Sequence, residues 1–311
     1  MTKTNFDTAH PVSFQSNNIK IAANLYYPEN IVLNQKSAQA IVVSHPGGGV
    51  KEQTAGLYVK RLAEKGFVTL AFDAAYQGES EGMPRGLEDP TQRIEDIKSA
   101  VAFLGTLVEV DAAKIGVLGI CASGGYSIVA AATDHNIKAL ATVSGVDLGD
   151  WNRKGSDGKQ DPQVIQSMLD AAAADRIAVL NGNAPGTFGI RFTEEQAKAL
   201  GGINYEGWEY YSTPRAEHPN QTNFMTWSSI ERTVGFYSPH FAYLIAPRPV
   251  LMIAGSEAQT LWMTKEAYEK ANEPKELFEI EGATHVALYD VDEYVSQAVS
   301  KLEGFFKANL K

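Results

Sequence analysis

A chain of 311 residues with one cysteine, Cys121, cannot form an intrachain disulfide. No apolar run approaches the ~18–20 residues needed to span a bilayer. The leading MTKTNFDTAHPVSFQSNN is polar throughout and lacks the apolar stretch of a secretory signal. Basic residues are in deficit: 27 Lys and Arg against 37 Asp and Glu leave a formal charge of −10. Nucleic acid and anionic membranes both select clustered Lys and Arg, so neither is expected as a partner. The six histidines (His10, His45, His135, His218, His240 and His285) show no metal-ligand spacing, so no metal site is expected. There is no internal repeat and no low-complexity tract. The expectation left by these absences is a globular cytoplasmic protein.

With 44% hydrophobic and 21% charged residues, the chain can bury a large core. Val12–Gln15 and Ile19–Tyr27 read as a hairpin around Ser16-Asn17-Asn18. Ala40–Ser44, Phe67–Phe72, Ile115–Leu118 and Ala139–Ser144 are short apolar runs, as strands buried on both faces would be. Between them lie helical patterns over Ala55–Lys65 and from Asp89-Pro90 through Leu104, the latter opened by an N-cap and an N1 proline. This alternation predicts βαβ units and a mostly parallel sheet flanked by helices. From about Leu148 to Pro239 strand runs are scarce, with short helical patterns near Gln163–Ala174 and Glu194–Leu200. The rhythm resumes with a strand at Pro249–Ala254, a helix near Lys265–Asn272, a strand at Leu277–Ile280 and a closing helix over Asp290–Leu310. The organisation expected is one α/β core formed by 1–148 and 239–311, with 149–238 inserted as a cap.

The run Ile115–Leu118 enters Gly119-Ile120-Cys121-Ala122-Ser123-Gly124-Gly125, and a helix follows. Strand, small-x-nucleophile-x-small, helix is the pattern of a nucleophile elbow. Gly119 and Ser123 are the small residues around Cys121, and the helix N-terminus behind the thiol favours thiolate. A competing register puts Ser123 at the turn, but needs the strand to continue through Gly119 and Ile120, and glycine weakens strands. A buried structural cysteine would also fit the turn. A phosphate cradle would too, yet neither G-x-G-x-x-G nor Lys-Ser/Thr after the glycines is present. His285, in the loop after the last strand run, is the candidate base. Glu257, the only carboxylate in the loop after Pro249–Ala254, is the candidate to orient it. The order Cys121, Glu257, His285 is nucleophile, acid, base. An oxyanion hole needs two N–H donors: Ala122 follows the nucleophile, and Gly48 in His45-Pro46-Gly47-Gly48-Gly49 is the candidate for the second.

These motifs, with Asp73-Ala-Ala-Tyr-Gln-Gly-Glu-Ser80 and Gly282-Ala283-Thr284-His285, make the chain resemble the α/β-hydrolase superfamily. Within it, the chain is most similar to the dienelactone-hydrolase-like branch with a cysteine nucleophile, over about residues 10–148 and 239–311. The resemblance implies an α/β-hydrolase fold and a hydrolase of carboxylic esters, lactones or thioesters that needs no cofactor. In two respects the chain departs from the pattern: small dienelactone hydrolases lack so large a cap, and their triad acid is Asp where this loop offers Glu257. In the insert, one or two of Trp208, Phe224 and Trp227 are expected to line the pocket. The leading expectation is an acyl-cysteine intermediate formed from a small-molecule acyl substrate. An acyltransferase on the same machinery and a non-catalytic ligand-binding protein are the rival readings, and formation of a homo-oligomer is left open.

Overall fold

A computed structural model describes residues 8–29, 31–32 and 34–311. Strands β1 (His10–Ser16) and β2 (Ile19–Tyr26) form the expected antiparallel hairpin. Asn17 and Asn18 turn it at φ 45° and 64°, a left-handed conformation that asparagine tolerates better than most residues. The remaining sheet strands are β3 (Ala38–Ser44), β4 (Val68–Phe72), β5 (Val110–Ile120), β6 (Ala139–Val143), β9 (Val250–Gly255) and β10 (Lys275–Ile280). Together they build an eight-stranded sheet in the order β1-β2-β4-β3-β5-β6-β9-β10, parallel from β4 onward.

Alternate residues of the parallel strands face two separate core layers. On β3, Ala40 and Val42 join one cluster with Ile97 and Leu104 of α2 (Pro90–Thr106) and Ile128 of α3 (Ala122–Thr133). Ile41 and Val43 join the other, with Val59 and Leu62 of α1 (Thr54–Glu64). Leu302 and Phe306 of the C-terminal helix (Asp292–Asn309) complete that second layer. Burial on both faces explains why these strands read as continuous apolar runs. The closing helical pattern is broken at Val291, leaving a short helix over Ala287–Asp290 ahead of the long one.

Between β6 and β9 no segment joins the main sheet. The chain there forms α4 (Leu148–Lys154), α5 (Pro162–Leu180), β7 (Thr187–Gly189), α6 (Glu194–Leu200), α7 (Gly202–Ser212), β8 (Phe224–Thr226) and α8 (Ser228–Thr233). β7 and β8 pair as a small antiparallel sheet. Ile165, Ala172 and Ile230 give this region a modest core of its own. Among the described residues, no helix is long and apolar enough to cross a membrane. The parallel strands all end at one edge of the sheet, where the loops after β3, β5, β9 and β10 meet.

Candidate active site

β5 stops at Ile120 and α3 starts at Ala122, so the chain reverses at Cys121. Its backbone takes φ 54° and ψ −122°, a strained conformation that costs about 1–3 kcal/mol. A turn this tight folds back on itself: a Cβ on Gly119 would lie 2.2 Å from the Ser123 carbonyl oxygen. The strand does continue through Gly119 and Ile120, beyond the expected Leu118, yet the turn falls on Cys121 and not on Ser123. Pairing with β6 carries it there, since Gly119 and Ile120 stand opposite Thr142 and Val143 and the Cys121 N–H donates to Val143 O at 3.1 Å. Ser123 points into the interior, where its hydroxyl donates to His45 O at 2.6 Å and accepts from Arg93 Nη2 at 3.0 Å.

Around the Cys121 thiol stand the N–H groups of Ala122 and Gly47 and the hydroxyl of Tyr289. Ala122 is therefore where an oxyanion donor is expected, but the glycine at the thiol is Gly47 rather than Gly48. Gly48 turns at φ 66° and presents its carbonyl oxygen to Arg191 Nη2 at 3.3 Å. Burial pushes the thiol above its ordinary pKa, against the pull of Tyr289, the two N–H groups and the Arg191 charge. This corrects the expectation of a thiolate: desolvation of the anion outweighs the helix N-terminus.

His285 is buried in the loop after β10. Its Nε2 lies 3.0 Å from the Tyr289 hydroxyl and its Nδ1 2.6 Å from Thr260 Oγ1. Burial lowers the imidazole pKa to about 3, so the ring is neutral near pH 7. The structure does not bring Glu257 to this ring. Its side chain is exposed, and only its backbone N–H reaches the His285 loop, donating to Ala283 O at 3.0 Å. Helix α9 (Leu261–Lys270) begins earlier than the pattern near Lys265 suggested, which sets Thr260, its N-cap residue, beneath the ring instead. Losing a buried hydrogen bond of this kind costs about 1–3 kcal/mol. Thr260→Val is therefore expected to lower kcat/KM by about tenfold or more, and Glu257→Gln to leave it nearly unchanged. Steady-state kinetics with a melting curve for each variant decides between them, and the reverse order would restore Glu257 to the base.

Asp73, at the end of β4, plays a structural part. Its carboxylate is buried and accepts from Lys51 N and Glu79 N, both at 2.8 Å, and from Lys51 Nζ at 2.9 Å. It thereby holds the 73–80 turn against the loop that follows β3.

A cavity of about 380 Å³ opens over Cys121, Gly47, Ala122, His285 and Tyr289. Residues of the 149–238 insert complete its wall, and Trp208 is among them while Phe224 and Trp227 are not. Strand alternation explains Phe224, because on β8 it is Met225 that faces the cavity. Phe224 instead packs on Gly86, where a Cβ would come within 2.8 Å of its ring. Trp227 packs against Phe188 with ring centroids 4.7 Å apart. Sequence reasoning passed over Arg191, whose guanidinium lies 3.9 Å from the Tyr211 ring centroid and lines the same cavity. Nothing in the local pattern marks it. Tyr289 carries a readable signal, its i,i+4 spacing from His285, but the expected helix starts at Asp290, three residues after the short helix that holds Tyr289 begins at Ala287. Among the described residues no group of three or more His, Cys, Asp or Glu stands together as a metal site.

Comparison with known proteins agrees with this architecture. Residues 21–176 match the Dienelactone hydrolase family. The uncharacterized protein YcjY of Escherichia coli K12 is 40% identical over 303 residues, spanning 96% of this chain and 98% of its own. The thiohydrolase aneE of Aspergillus aculeatus is 34% identical over 145 residues, 46% of this chain and 44% of that protein. The crystal structure of the hypothetical protein PA2218 from Pseudomonas aeruginosa superposes with a TM-score of 0.90 at 33% identity, covering 99% of this chain and 96% of that one. With an α/β-hydrolase sheet, a strained elbow at the end of β5 and a family match across the elbow, the chain belongs to the dienelactone hydrolase family.

Proposed function

We propose that this hydrolase cleaves a carboxylic ester, lactone or thioester through an acyl-cysteine intermediate. The carrying observation is Cys121 at the elbow, facing the cavity between the N–H groups of Gly47 and Ala122, with a neutral imidazole in the same wall. In this reading Cys121 attacks the acyl carbon, and His285 takes up the proton and later returns it to the leaving group. The two N–H groups receive the charge that develops on the carbonyl oxygen, a contribution that reaches about 10²–10³ in kcat per donor. Thr260 holds the ring, a hydroxyl where a carboxylate was expected. Residues 149–238 serve as the cap that closes the acyl pocket, with Trp208 on its wall. Likeness to a thiohydrolase supports the thioester end of this range.

The test is a panel of p-nitrophenyl esters, lactones and thioesters, read by stopped flow and intact-protein mass spectrometry with and without an alcohol acceptor. A burst with an acyl mass added at Cys121 is expected. Acyl transfer to the alcohol outrunning hydrolysis would reassign the enzyme as an acyltransferase, and absence of any adduct would end the covalent reading.

A further inference from the structure

The Cys121 thiol and the His285 ring do not share a hydrogen bond. Both ring nitrogens are engaged elsewhere, Nδ1 with Thr260 and Nε2 with the Tyr289 hydroxyl at 3.0 Å. The same hydroxyl bonds the thiol. We infer that Tyr289 is a catalytic residue whose hydroxyl relays the proton between Cys121 Sγ and His285 Nε2. The inference rests on the acyl-cysteine reading above and deepens it.

Three features of the surroundings suit this role. First, Tyr289 follows His285 by four residues, so the hydroxyl and the ring ride on one turn of chain and keep their relative positions. Second, the tyrosine is clamped edge-on, with ring centroids 5.2 Å from Tyr210, 6.3 Å from Tyr211 and 5.5 Å from His285. Third, the guanidinium of Arg191 stacks on Tyr211, its Nε is buried without a partner, and among the described residues it forms no ion pair. An uncompensated positive charge beside the relay favours negative charge as it develops on sulfur and on the phenol oxygen.

The proton balance closes. As the Sγ–C bond forms and the carbonyl π pair moves onto oxygen, the thiol proton passes to the Tyr289 oxygen. The Tyr289 proton passes in the same motion to Nε2, giving a neutral tyrosine and an imidazolium whose Nδ1–H donates to Thr260. When the bond to the leaving group breaks, Nε2 returns its proton to the Tyr289 oxygen and Tyr289 passes its own proton to the leaving group, since sulfur now holds the acyl carbon. The relay requires the tautomer with Nε2 bare and Nδ1 protonated, which a hydroxyl acceptor at Thr260 permits.

Single-turnover acylation by p-nitrophenyl acetate in mixtures of H₂O and D₂O tests the relay. Wild-type protein is expected to give a curved proton inventory, with two protons in flight. Tyr289→Phe is expected to acylate about 100-fold more slowly, the lower end of general acid–base contributions, with a linear inventory and a KM nearly unchanged. A linear inventory in the wild type would overturn the relay even where the variant fails to fold, as would acylation of Tyr289→Phe at the wild-type rate. Both of those results leave an acyl mass on Cys121, whereas failure of the acyl-cysteine reading itself removes that adduct from the wild type.

Discussion

Cys121→Ala is expected to lose turnover by about 10⁴–10⁶-fold, the scale on which removal of a member of a covalent catalytic set is felt. The elbow leaves no substitute. The other side-chain hydroxyl of the elbow, that of Ser123, is turned into the interior onto His45 O, and Ser44 Oγ lies 2.8 Å from it on the same side. Ser123→Ala is accordingly expected to fold and to keep measurable activity, because His45 O retains the Arg93 Nη2 donor at 2.8 Å. Cys121→Ser is expected to retain little, since a hydroxyl is far harder to deprotonate than a thiol. Steady-state kinetics on the three variants, with melting curves to confirm folding, suffices. Full activity in Cys121→Ala would remove the covalent mechanism altogether.

His285→Ala is expected to lower kcat by about 10²–10⁴-fold, the range for a positioned base. The pH dependence in wild-type protein carries the sharper signature. Burial holds the imidazole at about 3, far below its ordinary 6.5, so no descending limb in kcat/KM is expected between pH 8 and pH 5. The stability linkage has the same sign. The unfolded chain takes up this proton first, so the ring's contribution to folding is whole above pH 6.5 and is lost as pH falls toward 3. The thiol moves in the opposite direction, since burial raises it above its ordinary 9.0. Iodoacetamide should therefore modify Cys121 slowly near neutrality and faster only above pH 9. A kcat/KM limb at pH 6–7, or rapid alkylation at pH 6, would instead indicate a resting thiolate–imidazolium pair.

Local pattern was enough for what depends on chain neighbours. Apolar runs such as Ala40–Ser44 announce strands buried on both faces, and Asp89-Pro90 announces the start of α2, where the Asp89 carboxylate accepts from Thr91 N at 3.0 Å. The small residues around Cys121 were legible for the same reason. An elbow this tight is a clash between Gly119 and Ser123, four positions apart in the chain. Parallel βαβ units then bring the loops after β3, β5, β9 and β10 to one edge of the sheet.

What meets at that edge was decided in three dimensions. Glu257 is the only carboxylate in its loop, but the start of α9 at Leu261 places Thr260, not Glu257, against Nδ1. Gly47 rather than Gly48 faces the thiol because Gly48 takes a left-handed turn and offers its carbonyl to Arg191, 143 residues away in the chain. Arg191 and Tyr211 reach the cavity from an insert whose composition carries no periodic signal for them. Ionisation was settled the same way. A helix N-terminus is a sequence-level property and argues for thiolate, but desolvation by burial belongs to the tertiary fold and prevails at Cys121 and His285 alike. Chain neighbours thus determined the strands, the elbow and the edge of the sheet where chemistry belongs. Packing between distant segments decided which hydroxyl, amide and guanidinium surround the thiol, because those contacts depend on loop lengths and long-range packing that no local pattern encodes.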